Sequence, residues 1–215
     1  MNGIVTFFAQ LTTRFEEIGA IAPSSPSLAR LMTKQLSGPR KAFRILEVGS
    51  GTGPMTRQIL KQLRPEDTFI VCDVNEKLLT SLEHSIRSDT DFTSVLEQVQ
   101  FYCGPVQELE KSNQRQQFDL IVCSLPFANF SPVLAEEIMS CLHRLLSKEG
   151  TLSFFQYVML QPLALLVSTP ANRARLRGVR AVLKRWLEEA ERHGSVNRNV
   201  SLLNLPPAVA IQMSF

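Results

Sequence analysis

Little in the sequence would tie the chain together covalently or through metal. Its four cysteines, Cys72, Cys103, Cys123 and Cys141, stand 31, 20 and 18 positions apart with no Cys-x-x-Cys pair. Cys72, Cys103 and Cys123 sit in apolar, strand-like runs, where a thiol acts as a small hydrophobe. They are expected to be buried and reduced, which points to a reducing compartment. The three histidines, His84, His143 and His193, are scattered and pair with no cysteine or carboxylate at ligand spacing, so no metal site is expected. The longest uninterrupted apolar run, Leu163 to Val167, falls far short of the ~20 residues a membrane-spanning helix needs. Met1 to Phe8 has no basic region and no cleavage-like site, so it does not read as a signal peptide, and a cytoplasmic location is expected. There is also no internal repeat and no low-complexity tract, which excludes solenoids and tails.

What is present is the composition of a globular protein. Hydrophobic residues make up 44% and charged residues 20% of 215 positions, which excludes a disordered chain, a coiled coil and a fibrous repeat. The length favours a single domain, large enough to bury ~70% of its unfolded surface without disulfide or structural metal. Net charge is only +3, but it is unevenly placed: Arg173 to Arg198 hold eight basic and three acidic residues. A basic segment on a nearly neutral body suits an anionic partner such as a nucleic acid, a lipid headgroup or phosphate, or else a solvated helix face.

From Phe43 onward, short apolar runs alternate with helix-periodic ones. The runs Arg44–Val48, Thr68–Cys72, Val99–Cys103, Phe118–Cys123 and Thr151–Tyr157 predict strands. Between them, Pro54 opens a helix with Met55, Ile59, Leu60 and Leu63 on one stripe. Asn75 caps a second helix carrying Leu78, Leu79, Leu82 and Ile86. Ser131 caps a third, opened by Pro132, striped by Ile138, Leu142 and Leu145 and ended by Gly150. Such alternation predicts right-handed βαβ units and an α/β, doubly wound, mainly parallel sheet. An antiparallel pair near Val196–Leu203 and Ala208–Met213 would complete seven strands. Two segments lie outside this pattern. Ile4, Phe7, Phe8, Leu11, Phe15 and Ile18 form an amphipathic stripe near the start, and Leu176, Val179, Leu183, Trp186 and Leu187 form another inside the basic segment.

The most specific motif is Glu47-Val48-Gly49-Ser50-Gly51-Thr52-Gly53, placed where the first strand turns into the first helix. Glycines there admit φ > 0 and let backbone approach a ligand, at a helix start with a positive dipole end. Asp73, at the end of the second strand, can accept both hydroxyls of an adenosine ribose. In these residues the sequence resembles the class I S-adenosylmethionine-dependent methyltransferases over roughly residues 43–160. The resemblance implies a Rossmann-like fold with S-adenosylmethionine as cofactor. Gly49, Ser50, Gly51 and Gly53 would form the loop facing its methionine and ribose parts. Glu47 would anchor that loop or the methionine amino group, and Asp73 the ribose. The acid that often follows the third strand is missing, so Val74, Gly104, Pro105 and Val106 would receive adenine through backbone and apolar contacts.

After the fourth strand comes Ser124-Leu125-Pro126-Phe127, similar to the loops with which amino-group methyltransferases hold an amine. Oxygens there accept hydrogen bonds from the amine, and an aromatic ring stacks on it or steadies a developing cation. Ser124 would serve both cofactor and amine, with Leu125, Pro126, Phe127 and Tyr157 facing the substrate. A turn that merely packs is the alternative. Tyr102, mid-strand, reads as core.

Three further stretches bear a resemblance to the bacterial phospholipid N-methyltransferases: Gly19-Ala20-Ile21-Ala22-Pro23-Ser24-Ser25 with Leu28-Ala29-Arg30, the region of Phe155-Gln156-Tyr157, and Asn204-Leu205-Pro206-Pro207-Ala208. That resemblance implies stepwise methylation of phosphatidylethanolamine toward phosphatidylcholine, by a protein peripheral to the inner face of the cytoplasmic membrane. Phe7, Phe8, Leu11 and Phe15 would insert into the bilayer, and Arg173, Arg177, Arg180 and Lys184 would meet anionic headgroups. Both stripes could instead cover the sheet or the cofactor cleft. The layout expected is one domain: an N-terminal helix and lid (residues 1–38), a cofactor-binding core (39–160), and a basic helix with the terminal hairpin (161–215). The alternative is an RNA adenine dimethyltransferase, which fits the basic segment and Leu125-Pro126-Phe127 but carries Asn where Ser124 stands. Small-molecule or protein amines, and a non-catalytic scaffold, are weaker alternatives. No protein partner is implied, and nucleic acid is disfavoured.

Overall fold

The computed structural model describes residues 24–112, 117–158 and 169–215. Strands β1 (Arg44–Val48), β2 (Thr68–Asp73), β3 (Val99–Cys103), β4 (Phe118–Cys123), β5 (Leu146–Tyr157), β6 (Ser195–Ser201) and β7 (Ala208–Ser214) form one sheet in the order β3-β2-β1-β4-β5-β7-β6. The first five run parallel. β7 pairs antiparallel with both β5 and β6. The α/β class, the parallel core and the antiparallel terminal hairpin are as expected. The order reverses between β1 and β4, so a crevice opens there at the carboxyl ends of the strands.

Helices cover both faces because the central strands are apolar on both sides. On one face α1 (Pro26–Met32), α2 (Pro54–Leu60) and α3 (Glu76–Arg87) bury Leu28, Met32, Met55, Ile59, Leu79 and Leu82 against Ile45, Val71 and Leu120. On the other face lie α4 (Val106–Ser112), α5 (Pro132–Leu145) and α6 (Pro170–His193), whose Leu109, Ile138, Leu142, Val179 and Leu183 meet Leu46, Ile121 and Phe154. The expected caps are in place: Asn75 Oδ1 accepts from Leu78 N at 3.1 Å and Ser131 Oγ from Leu134 N at 3.1 Å.

Three expectations need correction. Gly150 does not end α5, which stops at Leu145; it lies inside β5, where a Cβ would come within 2.7 Å of the Phe118 carbonyl oxygen. Cys103 is exposed, because β3 is an edge strand and Cys103 is its last residue. Cys72, Cys123 and Cys141 are buried as expected, and burial pushes the thiols of Cys123 and Cys141 up to about 12. Tyr102 is half-buried at the edge rather than enclosed. Of the two readings open for the Trp186 stripe of α6, the structure shows it covering protein: Val179, Leu183 and Ala190 are buried, and the indole lies 5.3 Å from the His143 ring and 5.8 Å from Phe215. Gly178 permits this contact, since a Cβ there would sit 2.5 Å from Pro132 Cγ at the start of α5.

The far end of the sheet from the crevice is tied by Asp67, 1% exposed in the turn before β2. Its carboxylate accepts from Arg40 Nη1 at 2.6 Å, Arg40 Nη2 at 2.5 Å, Phe43 N at 2.8 Å and Arg64 N at 2.8 Å. Burial alone would raise its pKa, but the Arg40 guanidinium and the two N–H donors outweigh that and hold it below the ordinary carboxylate value. An acid depressed in the folded state contributes stability that is full above the unfolded pKa of ~3.9 and is lost as pH falls through the folded value. Asp67→Asn should therefore cost about 3–5 kcal/mol in urea unfolding at pH 7, by stranding Arg40. The gap between variant and wild type should close in strong acid.

Candidate active site

Three strand ends are drawn into one rim by hydrogen bonds that continue the sheet past its last paired residues. Gly49 N donates to Cys72 O at 2.8 Å, Ser124 N to Val48 O at 2.8 Å, and Gly104 N to Asp73 O at 2.9 Å. The glycine loop, the turn after β2, the turn after β3 and the Ser124 loop thus all border the crevice.

The glycine loop follows a path that side chains do not permit. Gly53 has φ +85°, and a Cβ there would lie 2.2 Å from Leu82 Cδ1. At Gly49, φ is +79° and a Cβ would lie 2.8 Å from Leu125 Cδ2. Asp73 holds the loop in this path: its Oδ2 accepts from Gly51 N at 2.8 Å and from Ser50 Oγ at 3.4 Å, while Oδ1 accepts from Asn75 N at 2.9 Å. With two donors already on Oδ2 and one on Oδ1, the carboxylate keeps one further lone-pair site, on Oδ1.

Glu47 is fully buried. Its Oε2 accepts from Thr56 Oγ1, on the first turn of α2, at 2.7 Å, while Oε1 has no partner within the protein. Burial pushes its pKa from 4.5 to about 8; the Thr56 hydrogen bond offsets part of this, and the neighbouring Asp73 charge adds to it. An unpaired carboxyl oxygen in such a place is costly unless a donor arrives.

Gly49, Asp73, Val74, Gly104, Pro105 and Val106, all expected at the cofactor, line one cleft. Leu125, Gln107 and Ile138 complete its wall. The Gln107 Nε2 group is buried and unpartnered, a donor suited to a ring nitrogen of adenine where the usual acid after β3 is absent. Sequence reasoning stopped at Val106 and missed it; the only signal was an amide on the first turn of a short helix. Thr56 was missed for a like reason, since its relation to Glu47 exists only in three dimensions. Orphaned Glu47 Oε1, orphaned Gln107 Nε2 and the remaining lone-pair site of Asp73 Oδ1 fit the ammonium, the base and a ribose hydroxyl of S-adenosylmethionine.

The five residues expected to face an amine are divided by the structure into Ser124 and Tyr157 on one face of the sheet, Pro126 and Phe127 turned away, and Leu125 beside Gly49. Ser124 Oγ is buried and has no partner, and strand alternation puts it on the face of Leu120 and Val122, the face that also holds Glu47. Tyr157 ends β5 on that same face, half-buried, with its ring 5.3 Å from Phe155 and its phenol pKa raised by burial. Pro126 and Phe127 instead turn the chain away. Phe127 is 5% exposed and packs edge-on against Phe130 at 5.8 Å and Phe154 at 6.2 Å. It anchors the loop in the core and presents no ring to an amine, because the short helical turn of Phe127–Asn129 directs it under α5. Leu125 fills the space beside Gly49 and belongs to the cofactor cleft. Arg175, on α6, braces the turn by donating to Ala128 O at 2.6 Å and Phe130 O at 2.9 Å.

The basic residues Arg173, Arg177, Arg180 and Lys184 are exposed on α6. Phe7, Phe8, Leu11 and Phe15 lie outside the described residues, as does most of the expected lid.

Comparison with known proteins agrees with this geometry. A family model described as a methyltransferase domain matches residues 45–150. An ornithine lipid N-methyltransferase of Singulisphaera acidiphila is 26% identical over 154 residues, covering 70% of this chain and 76% of that protein. Among solved structures, the O-methyltransferase TomG from Streptomyces achromogenes superposes with a TM-score of 0.64 at 16% identity, over 100% of this chain and 91% of its own. An O-methyltransferase from Bacillus cereus gives a TM-score of 0.64 at 14% identity, over 100% of this chain and 92% of its own. The fold is that of the class I methyltransferases.

With its pKa raised by burial to about 8, Glu47 favours the protonated form at pH 7, and a cation arriving at Oε1 would favour the carboxylate. Binding of S-adenosylmethionine should therefore release up to one proton, read by calorimetry in buffers of differing ionisation enthalpy, and Glu47→Gln should abolish that release. Asp73→Ala should weaken cofactor binding by about 100-fold or more, since it removes charged acceptors from both ligand and loop; unchanged affinity would remove Asp73 from the site.

Proposed function

We propose that this class I, S-adenosylmethionine-dependent methyltransferase acts on the amine of a membrane lipid, converting phosphatidylethanolamine stepwise toward phosphatidylcholine at the bilayer surface. One observation carries the reading beyond methyl transfer in general: the likeness to a lipid N-methyltransferase extends over 154 residues and most of both chains. That relative's own name favours a second acceptor, the amine of an ornithine lipid, which presents the same nitrogen chemistry on a different headgroup. The RNA adenine alternative has no comparable support.

The site suits an amine nucleophile. When bound, S-adenosylmethionine supplies a methyl group already activated on a sulfonium. The protein's part is to hold the amine in line with it, neutral and dry. Ser124 Oγ, buried without a partner, accepts a hydrogen bond from the amine and so orients its lone pair. Removal of the amine from water at the buried Ser124 hydroxyl disfavours the ammonium form and lowers the amine pKa toward neutrality. The Tyr157 phenol, its own pKa raised, stays un-ionised at working pH, so its oxygen serves as a dipole that steadies positive charge developing on nitrogen. The basic face of α6 attracts anionic headgroups, at about 1 kcal/mol per residue near such a surface.

Transfer of labelled methyl groups to three acceptors tests this directly: vesicles of phosphatidylethanolamine with phosphatidylglycerol, vesicles of ornithine lipid, and unmodified ribosomal RNA. Label in mono-, di- and trimethylated phosphatidylethanolamine is expected. Label confined to ornithine lipid would move the assignment to that amine, and label confined to RNA would overturn it. Ser124→Ala should lower kcat by about tenfold or more through loss of one buried hydrogen bond, with cofactor affinity changed much less. Replacing Arg173, Arg177, Arg180 and Lys184 together by Ala should weaken binding to anionic vesicles in low salt and leave binding to neutral vesicles little changed.

A further inference from the structure

Among the described residues, the exposed large apolar side chains gather at one of the two ends of the sheet. Among the described residues the strongly exposed large hydrophobics are Val133, Val158, Val200, Leu202, Leu203 and Leu205. Val133 lies on the first turn of α5, just after the Ser124 loop, and Val158 follows Tyr157 at the end of β5. Val200 pairs with Val209 near the end of β6, and the three leucines form the turn into β7, whose first residue, Ala208, pairs with Tyr157. All six therefore sit at the carboxyl end of the parallel strands, the end at which the crevice opens.

The hairpin turn reverses the usual pattern. Leu202, Leu203 and Leu205 are 74%, 79% and 74% exposed, while Asn204 between them is 1% exposed. Asn204 Oδ1 accepts from Ser25 N at 2.8 Å, and its Nδ2 donates to Pro206 O at 2.8 Å. Val158 N adds a bond to Pro207 O at 2.9 Å. The polar residue is thus the anchor, and the leucines are held outward on a fixed turn. Apolar surface clustered in this way marks an interaction site. Its chemistry is set by its surroundings: α6 begins at the same end, with Arg173 and Arg177 exposed on its first two turns. Aliphatic side chains and cations presented at the same end of the molecule match the interface of an anionic bilayer, with acyl chains below and phosphates above.

We propose that the Leu202–Leu203 and Leu205 turn is a membrane-inserting knuckle that seats the crevice mouth on the lipid surface, with the leucines among the upper acyl carbons and Tyr157 at the level of the headgroups. This rests on the lipid reading above and assigns it a docking surface. The seat is rigid, since the Asn204 anchor is formed before any lipid is met.

The test keeps the two readings apart. Leu203→Trp is titrated with vesicles of phosphatidylethanolamine and phosphatidylglycerol, against the constant background of Trp186. A blue shift of the introduced tryptophan, with quenching by lipid brominated on the upper acyl chain, is expected. In parallel the triple variant L202S/L203S/L205S should bind these vesicles about 100-fold more weakly, yet methylate detergent-dispersed phosphatidylethanolamine as wild type does and melt at the same temperature. Vesicle binding with the introduced tryptophan still in water would overturn the knuckle and leave the lipid reading standing. Insertion without methylation of any dispersed lipid would support the knuckle and remove the lipid substrate. A blue shift that follows protein concentration in the absence of vesicles would overturn the proposal in favour of a second copy of the chain.

Discussion

One carboxylate organises the crevice. Asp73 closes β2 and takes hydrogen bonds from the glycine loop and from Asn75, the cap of α3. The loop can be drawn onto it only because Gly49 and Gly53 stand at positive φ where any Cβ would strike Leu125 or Leu82. Both constraints serve the same end: backbone, rather than side chain, is presented at the switch point between β1 and β4. The leucine that abuts Gly49 also walls the cofactor cleft, so loop geometry and cleft shape are one packing problem.

Around this centre the buried polar groups fall into two kinds. At the base of the sheet Asp67 is saturated, with four donors on its two oxygens. At the crevice Glu47 Oε1, Gln107 Nε2 and Ser124 Oγ are all left without partners. A folded chain tolerates few such groups. Ser201 Oγ, at the end of β6, and Gln35 Oε1 and Trp186 Nε1, elsewhere in the molecule, are also without partners, so what sets the crevice apart is that Glu47 is an acid whose burial raises its pKa.

Much of this was legible in the sequence, for reasons that can be named. The central strands are apolar on both faces, so their limits coincide with hydrophobic runs; Pro54, Asn75 and Ser131 mark helix starts by local chemistry alone. The motif from Glu47 to Gly53 and Asp73 carries its meaning in spacing, and the structure brings these residues together. What was not legible depended on partners remote in sequence. Nothing local says that Phe127 turns into the core, that Thr56 meets Glu47, or that Trp186 packs on His143. An amphipathic stripe reports that one face is apolar, and leaves open whether protein or lipid covers it. Gly150 was misplaced because a glycine after a helix is normally its stop, whereas here close approach of Phe118 requires it.

The strand order has a consequence for traffic. The cofactor cleft draws on β1, β2 and β3, whereas Tyr157 and the leucine turn belong to β5 and β7, on the other side of the switch point. Neighbouring strands lie about 4.8 Å apart, so the middle of the β2–β1 half is separated from the β5–β7 half by roughly three strand spacings, or about 15 Å. Two ligands can thus enter the crevice by different doors. On the function proposed above, spent cofactor can leave and fresh cofactor enter while the acceptor stays in place at its own door. That layout would allow several transfers to one acceptor without its release.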